Sequence, residues 1–309
     1  MKPKGRWLTL ILILGACSGS PATTTTLVSS ADPVATSTTS TSTPGSPSTP
    51  VSSTTTIEPT TTTTIPAVSD TFLIAGNTCL LGWWDGDWQS EGSAPVVGGE
   101  DYQVVKLTEE ITTAVGTEPR PWCEPLELLN IEFDPALPGE WQDLDAVAIQ
   151  TDGDVRPHKV ELVSTSTVAY IDATADLLAG RVVGVPIINL TQVVRTDLEG
   201  DGVDEVIVAA STMPDDPLDT AAGDYTIVYL RKVLDGEVET ALLGVVVVDD
   251  PGPFSWTQIE IAAVADLNGD GRMEIVLNAN VWEGGFLQAF EWVNDELGLL
   301  EVLSCGCGS

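Results

Sequence analysis

The sequence predicts a mostly β fold made of antiparallel, four-stranded repeat units. Two nine-residue stretches, Asp197–Glu205 and Asp266–Glu274, follow one template and are called here the first loop and the second loop. A strand-like run precedes each loop, an apolar β-branched run follows it, and a hairpin comes next. Repetition of a whole supersecondary unit is typical of propellers and stacked arrays.

The strands of the two units are predicted from alternating or continuous apolar runs. They cover 190–195, 205–210, 225–233 and 237–248 in the first unit, and 259–265, 274–278, 286–293 and 297–303 in the second. Asp235-Gly236 and Asn294-Asp295 are the predicted hairpin turns. Four antiparallel strands are the content of one propeller blade, and the folded part has room for about four such units. A small closed propeller, an incomplete one and two packed sheets are all compatible with this count.

Before residue 186 the repeat pattern weakens. Strands are predicted at 71–75, 79–84 and 102–107. The runs Ala146–Ile149 and Val160–Val163 are interpreted as a hairpin in preference to a third, decayed repeat. Apolar residues recur at helical spacing before Gly180, which predicts one short helix near 170–180.

Both loops carry oxygen-bearing side chains at positions 1, 3, 5 and 9 and a glycine at position 6. Calcium takes six to eight oxygen ligands, and such side chains on alternate residues of a tight loop can converge on one ion. Gly202 and Gly271 stand where the chain must turn, often with positive φ. The predicted ligands are Asp197, Glu199, Asp201, Glu205 and the Val203 carbonyl in the first loop, and Asp266, Asn268, Asp270, Glu274 and the Arg272 carbonyl in the second. The sequence thus predicts two structural calcium sites.

At these residues the sequence resembles the integrin-type FG-GAP and VCBS-like repeats, whose calcium loops lie between strands of β-propeller blades. The resemblance covers residues 190–303. The loops do not end as EF-hands do, because Val208 and Leu277 stand where a bidentate glutamate would be required. Glu199 also departs from the usual Asp or Asn at position 3. The resemblance implies a binding or adhesion module, by analogy of fold, and it does not name a ligand.

The N-terminus predicts export. Lys2, Lys4 and Arg6 precede a short apolar run, and Leu14-Gly15-Ala16-Cys17 resembles the bacterial lipobox. The resemblance implies a signal peptide over 1–16 and acyl chains on Cys17, which would anchor the protein to a membrane on the extracytoplasmic face or cell surface. An ordinary secretory signal with a chance cysteine is the alternative.

The predicted domain organisation has three parts after the signal peptide. Residues 17–69, rich in Ser, Thr and Pro, are expected to form a disordered stalk behind the lipidated cysteine. An N-terminal β region with a Trp-rich loop follows over 70–185, and the two calcium-loop repeats with a cysteine-containing tail cover 186–309.

Charge excludes some partners. The chain has 46 acidic and 12 basic residues, for a net charge of −34, so it offers no basic surface for nucleic acid or anionic lipid.

Four cysteines remain after Cys17, and an even number in an exported chain predicts disulfides. Because a ring across Gly306 alone would be strained, Cys305 and Cys307 are each expected to pair with Cys79 or Cys123, in either order.

Catalytic constellations are scarce in the sequence. His158 is the one histidine, and no nucleophile elbow or phosphate-binding loop accompanies it. The leading hypothesis is therefore a binding module for a glycan or a protein, with Trp83, Trp84 and Trp88 as the candidate ligand surface. The alternatives are an extracellular enzyme that acts on polysaccharide through a carboxylate pair, and a passive envelope component. The sequence assigns no oligomeric state.

Overall fold

The computed structural model describes residues 72–76, 79–90, 94–123, 128–138, 146–182, 184–293 and 298–308. The predicted signal peptide, Cys17, the stalk and the Asn294-Asp295 turn lie outside these residues. Within them, no helix combines the length and apolarity needed to cross a bilayer.

The N-terminal half forms one seven-stranded antiparallel sheet, called the first sheet. Its strands are β1 (Phe72–Ala75), β2 (Leu80–Trp84), β3 (Trp88–Gln89), β4 (Asp101–Lys106), β5 (Thr112–Gly116), β8 (Phe133–Asp134) and β9 (Ala146–Gln150), in the order β3-β2-β1-β9-β4-β5-β8. A separate two-stranded ribbon pairs β6 (Arg120–Trp122) with β7 (Leu128–Asn130). The predicted strands at 71–75, 79–84 and 102–107 are confirmed to within a residue or so.

The predicted hairpin after residue 145 is wrong. Strand β9 pairs with β1 and β4, whereas β10 (Glu161–Leu162) pairs with β11 (Leu190–Thr196) in a different sheet. The burial of the two strands explains this separation. The first four residues of β9 are buried, as a central strand requires, while both residues of β10 are exposed and suit an edge.

The two predicted repeats form two further antiparallel sheets. The second sheet has the order β10-β11-β12-β13-β14 and adds β12 (Glu205–Ser211), β13 (Tyr225–Leu234) and β14 (Glu237–Val247). The third sheet is β15 (Thr257–Ala265), β16 (Glu274–Val281), β17 (Gly284–Trp292) and β18 (Leu299–Gly308), paired in that order. The described chain is therefore mostly β, with antiparallel sheets of four to seven strands. None of these sheets closes on itself.

The third sheet lies between the other two. One of its faces, including Val276 and Leu287, shares an apolar cluster with Ile74 and Val147 of the first sheet. The opposite face, including Ile275 and Phe290, packs on Ile207 and Leu230 of the second sheet. Because β16 and β17 are covered on both faces, most of their residues are buried, including the polar side chains of Glu274, Asn278 and Gln288.

The predicted short helix is confirmed as α1 (Val168–Leu178), and it covers the outer face of the second sheet. Leu177 and Leu178 are buried in that contact. Tyr229 of β13 reaches the helix, where its hydroxyl lies 2.9 Å from Thr174 Oγ1 and donates to the Tyr170 carbonyl at 3.2 Å.

Two cysteine pairs at disulfide distance tie the C-terminal strand to the N-terminal half. Cys79 pairs with Cys305, with a Cα–Cα distance of 6.2 Å, and Cys123 pairs with Cys307 at 5.9 Å. This is one of the two connectivities that the sequence allowed. It joins β18 of the third sheet to the region of β2 and β6, where the first and third sheets pack together.

Candidate metal centre

Each predicted calcium loop is a tight connection between two neighbouring strands. The first loop joins β11 to β12, and the second loop joins β15 to β16. Gly202 and Gly271 adopt φ values of +86° and +85°, as expected for position 6, and a side chain at either would be strained. The backbone conformation therefore explains why both copies have glycine at position 6.

The aspartate at position 1 organises the backbone of each loop. Asp197 accepts hydrogen bonds from the N–H groups of Gly200, Asp201 and Gly202 at 2.7–3.1 Å. Asp266 likewise accepts from Gly269 at 2.6 Å and from Gly271 at 2.8 Å. The two loops thus have the same hydrogen-bonded turn, closed by the aspartate at position 1.

Burial distinguishes the two aspartates. For Asp197, partial burial favours a higher pKa, but the three backbone N–H donors outweigh it, so the pKa is lowered. Asp266 is only 3 % exposed, and its burial raises the pKa of the carboxyl despite the same type of hydrogen bonds. The carboxylate at position 1 is therefore more buried in the second loop than in the first.

The glutamate at position 9 returns to the start of each loop. Glu205 Oε2 accepts from the Leu198 N–H at 2.9 Å, and Glu274 Oε2 accepts from the Leu267 N–H at 2.7 Å. These residues are 1 % and 0 % exposed. The other oxygen differs between the copies, because Glu205 Oε1 lies 2.7 Å from an ammonium nitrogen whereas Glu274 Oε1 has no hydrogen-bond partner.

The ammonium in the first loop belongs to Lys232 of β13. Its Nζ atom contacts Glu205 and also Glu199, and it lies 5.1 Å from the centroid of the Trp292 ring. Burial alone would lower the pKa of Lys232, but its hydrogen bonds to the two carboxylates outweigh that effect and raise the pKa. The Arg272 guanidinium, from the second loop, binds the other oxygen of Glu199.

In the second loop, the residue that corresponds to Lys232 is acidic. Ile275 pairs with Phe290 in the third sheet, so the register brings Glu291 opposite Glu274. Glu291 accepts a hydrogen bond from the Trp88 indole nitrogen at 2.8 Å. Burial raises the pKa of Glu274 well above its ordinary value, and the charges of Asp266, Asp270 and Glu291 raise it further.

The two loops also contact each other. The Met273 N–H donates to the Leu198 carbonyl at 2.8 Å, and His158 Nε2 lies 3.0 Å from the Gly271 carbonyl. The His158 ring also faces Gly200, where an added Cβ would come within 2.7 Å of Nε2. The histidine is therefore wedged between the loops.

The remaining predicted ligands lie within their own loops. Asn268 is 5 % exposed and its Oδ1 accepts from the Asp270 N–H at 3.0 Å. Asp201 and Asp270, both exposed, accept from the N–H of Val203 and Arg272, each at 2.8 Å. Within the described ranges, no three His, Cys, Asp or Glu side chains are grouped closely enough to hold a metal ion. The ligand set predicted for each loop also includes a backbone carbonyl, and that of the second loop includes the amide oxygen of Asn268.

The tryptophans of the predicted ligand surface lie at the edge of the first sheet. Trp84 and Trp88 meet edge to face, with ring centroids 4.9 Å apart, and both pack partly against the cluster between the first and third sheets. Trp83 points to the other face of that sheet. All three are partly buried, so only parts of their rings are open to a ligand.

Sequence reasoning missed Lys232, Glu291 and the side chain of Arg272. The signal for Lys232 was available, since two consecutive basic residues interrupt an otherwise apolar strand. No sequence pattern indicated Glu291, because only the register between β16 and β17 brings it opposite Glu274. No protein-family profile, curated protein or solved structure matches this chain.

Proposed function

We propose that this chain is an exported bacterial lipoprotein, anchored through Cys17, that displays a calcium-stabilised, propeller-like β domain for binding or adhesion. The observation that carries the calcium part is the Glu274 carboxylate, which is fully buried with one oxygen lacking a hydrogen-bond partner. A buried carboxylate oxygen is expensive to leave unpaired, and a cation supplies what it lacks. The face-to-face packing of the two repeat sheets supports the propeller-like part.

The second loop offers oxygen donors of the right chemistry, and a bound ion would have to draw its three carboxylates closer together than the structure has them. Asp266, Asp270 and Glu274 offer carboxylate oxygens, Asn268 offers an amide oxygen, and Arg272 offers its carbonyl, all of which are ligand types that calcium prefers. A bound ion would supply positive charge to carboxylates that otherwise repel one another. The function of this site is structural, since it would fasten β15 to β16. The first loop does not fit an ion in the same way, because Lys232 already occupies its two glutamates.

Thermal unfolding of the full chain, oxidised, tests the calcium part in calcium and in a chelator. Calcium should raise the melting temperature of the parent, and Asp266→Ala and Glu274→Gln should each reduce that rise. In chelator, Glu274→Gln should melt above the parent, because the amide removes a buried charge and keeps an acceptor for the Leu267 N–H. Glu237→Gln, at an exposed glutamate of β14, is the matched control and should behave as the parent does. Equal melting of the parent in calcium and chelator would end this part of the proposal.

The ligand part is assigned to the aromatic pair Trp84 and Trp88, whose partly open rings suit stacking on a sugar. Glycan-array binding tests it. Trp88→Ala should abolish binding, whereas Trp88→Phe keeps an aromatic ring and should retain most of it. If the folded parent chain binds no glycan, the glycan is ruled out and a protein becomes the proposed ligand.

A further inference from the structure

The ion pairs of the first loop form a closed set of charges. Lys232 Nζ contacts one oxygen of Glu199 and Oε1 of Glu205, and Arg272 binds the other oxygen of Glu199. The remaining oxygen of Glu205 accepts the Leu198 N–H. Every carboxylate oxygen of both glutamates therefore already has a partner.

These groups are largely withdrawn from water. Lys232 is 5 % exposed, Glu205 is 1 % exposed, and the Glu199 side chain is 16 % exposed. A buried ammonium must be paired, and here it has two carboxylates and the face of Trp292. The lysine thus sits where positions 3 and 9 of the template converge.

The second loop lacks this arrangement. Glu291 stands at the place of Lys232, Asn268 stands at the place of Glu199, and Glu274 Oε1 has no hydrogen-bond partner. In the first loop, cationic side chains therefore pair with the buried carboxylates. In the second loop, no cationic side chain among the described residues does so for Glu274.

We infer that Lys232 takes the place of a metal ion in the first loop, so that the domain holds one divalent cation where the sequence template predicts two. The number of ions rests on the function proposed for the second loop. The role of Lys232 does not, and it can be tested without any metal.

The first experiment measures thermal unfolding of the full chain in chelator. Lys232→Met leaves the buried Glu205 carboxylate without a cationic partner, so the melting temperature should fall by roughly 10 °C. Lys159→Met, which removes an exposed lysine paired with Glu161, is the matched control and should have almost no effect. Equal melting of Lys232→Met and Lys159→Met would overturn the inference.

The second experiment counts calcium ions by isothermal titration calorimetry. The parent should bind one ion per chain. Asp201→Asn, an exposed position of the first loop that keeps an acceptor for the Val203 N–H, should leave the number and the affinity unchanged, whereas Asp270→Asn, at the same position of the second loop, should weaken binding at least tenfold. Two ions per parent chain, or weaker binding in Asp201→Asn, would overturn the inference. A parent that binds no ion would instead remove the calcium proposal, and the chelator experiment would still decide the role of Lys232.

Discussion

Lys232 and Glu291 occupy the same place in consecutive sheets, each opposite the glutamate that ends a loop. Each also contacts a tryptophan of the sheet packed against it. Lys232 lies over the Trp292 ring, and Glu291 accepts a hydrogen bond from the Trp88 indole. Two loops with one backbone design therefore face opposite charges, and their stability should respond differently to ions and to substitution.

The contact between the loops predicts the effect of Arg272→Met. This change removes the guanidinium that binds Glu199, and both side chains are substantially withdrawn from solvent, at 33 % and 16 % exposed. The free energy of unfolding should fall by about 1 kcal/mol, since Glu199 keeps Lys232 as a partner. Urea denaturation in chelator measures the change without interference from calcium.

Arg120→Met is the control for that experiment. Arg120 pairs with Glu132 where both side chains are about two-thirds exposed, at 66 % and 64 %, so the loss should be close to zero. Similar losses in the two variants would show that the contact between the loops adds nothing to stability.

Burial predicts the order in which the two disulfides are reduced. Cys79 and Cys305 are 0 % and 7 % exposed within the cluster between the first and third sheets, whereas Cys123 and Cys307 are partly exposed. A reductant added to the folded chain should therefore open Cys123–Cys307 first. Stepwise alkylation followed by peptide mass spectrometry measures the order, and loss of both bonds at the same rate would contradict it.

Much of the fold between residues 190 and 303 was predictable from sequence. Its strands are long, their apolar pattern is strong, and each pairs with its neighbour in the chain, as β13 and β14 do across Asp235-Gly236. The first sheet was not predictable in this way. Its central strand β9 pairs with β1 and β4, which lie far away in the chain, and local pattern carries no information on such partners.

The candidate site was predictable as a backbone and less so as a set of charges. Glycines and aspartates at fixed spacing specify the turn, because the hydrogen bonds of Asp197 and Asp266 are local. The groups that distinguish the loops come from the next hairpin. Lys232 and Glu291 reach their glutamates through strand register, and no spacing within the loop template encodes it.

Three buried tyrosines predict a loss of stability at alkaline pH. Burial raises the pKa of Tyr102, Tyr225 and Tyr229 above the ordinary value of about 10. Because the folded chain holds these protons more tightly than the unfolded chain, their contribution is fully present below about pH 10 and declines as the pH rises further. Phenolate absorbance, followed together with circular dichroism, should show these three of the four tyrosines ionising only as the β signal is lost.

Tyr102→Phe is the control for the alkaline titration. It removes a buried hydroxyl that has no hydrogen-bond partner, so it should delete one ionising group with little loss of stability at neutral pH. Ionisation of the buried tyrosines near their ordinary pKa while the β signal persists would contradict the prediction.

The register of the third sheet predicts that Glu291→Lys changes the second loop into a copy of the first. The new ammonium would stand opposite Glu274 and could pair with its free oxygen, as Lys232 does with Glu205. In chelator this variant should be more stable than the parent by roughly 1–3 kcal/mol, and added calcium should no longer raise its melting temperature. Glu291→Gln is the control, because it removes the acidic charge without supplying a cation and should keep its response to calcium. Glutamine keeps an amide oxygen that can accept from the Trp88 indole, whereas lysine has no acceptor, so any gain in the lysine variant is net of the loss of that hydrogen bond. A lysine variant that still gains stability from calcium would show that charge opposite Glu274 does not satisfy the loop.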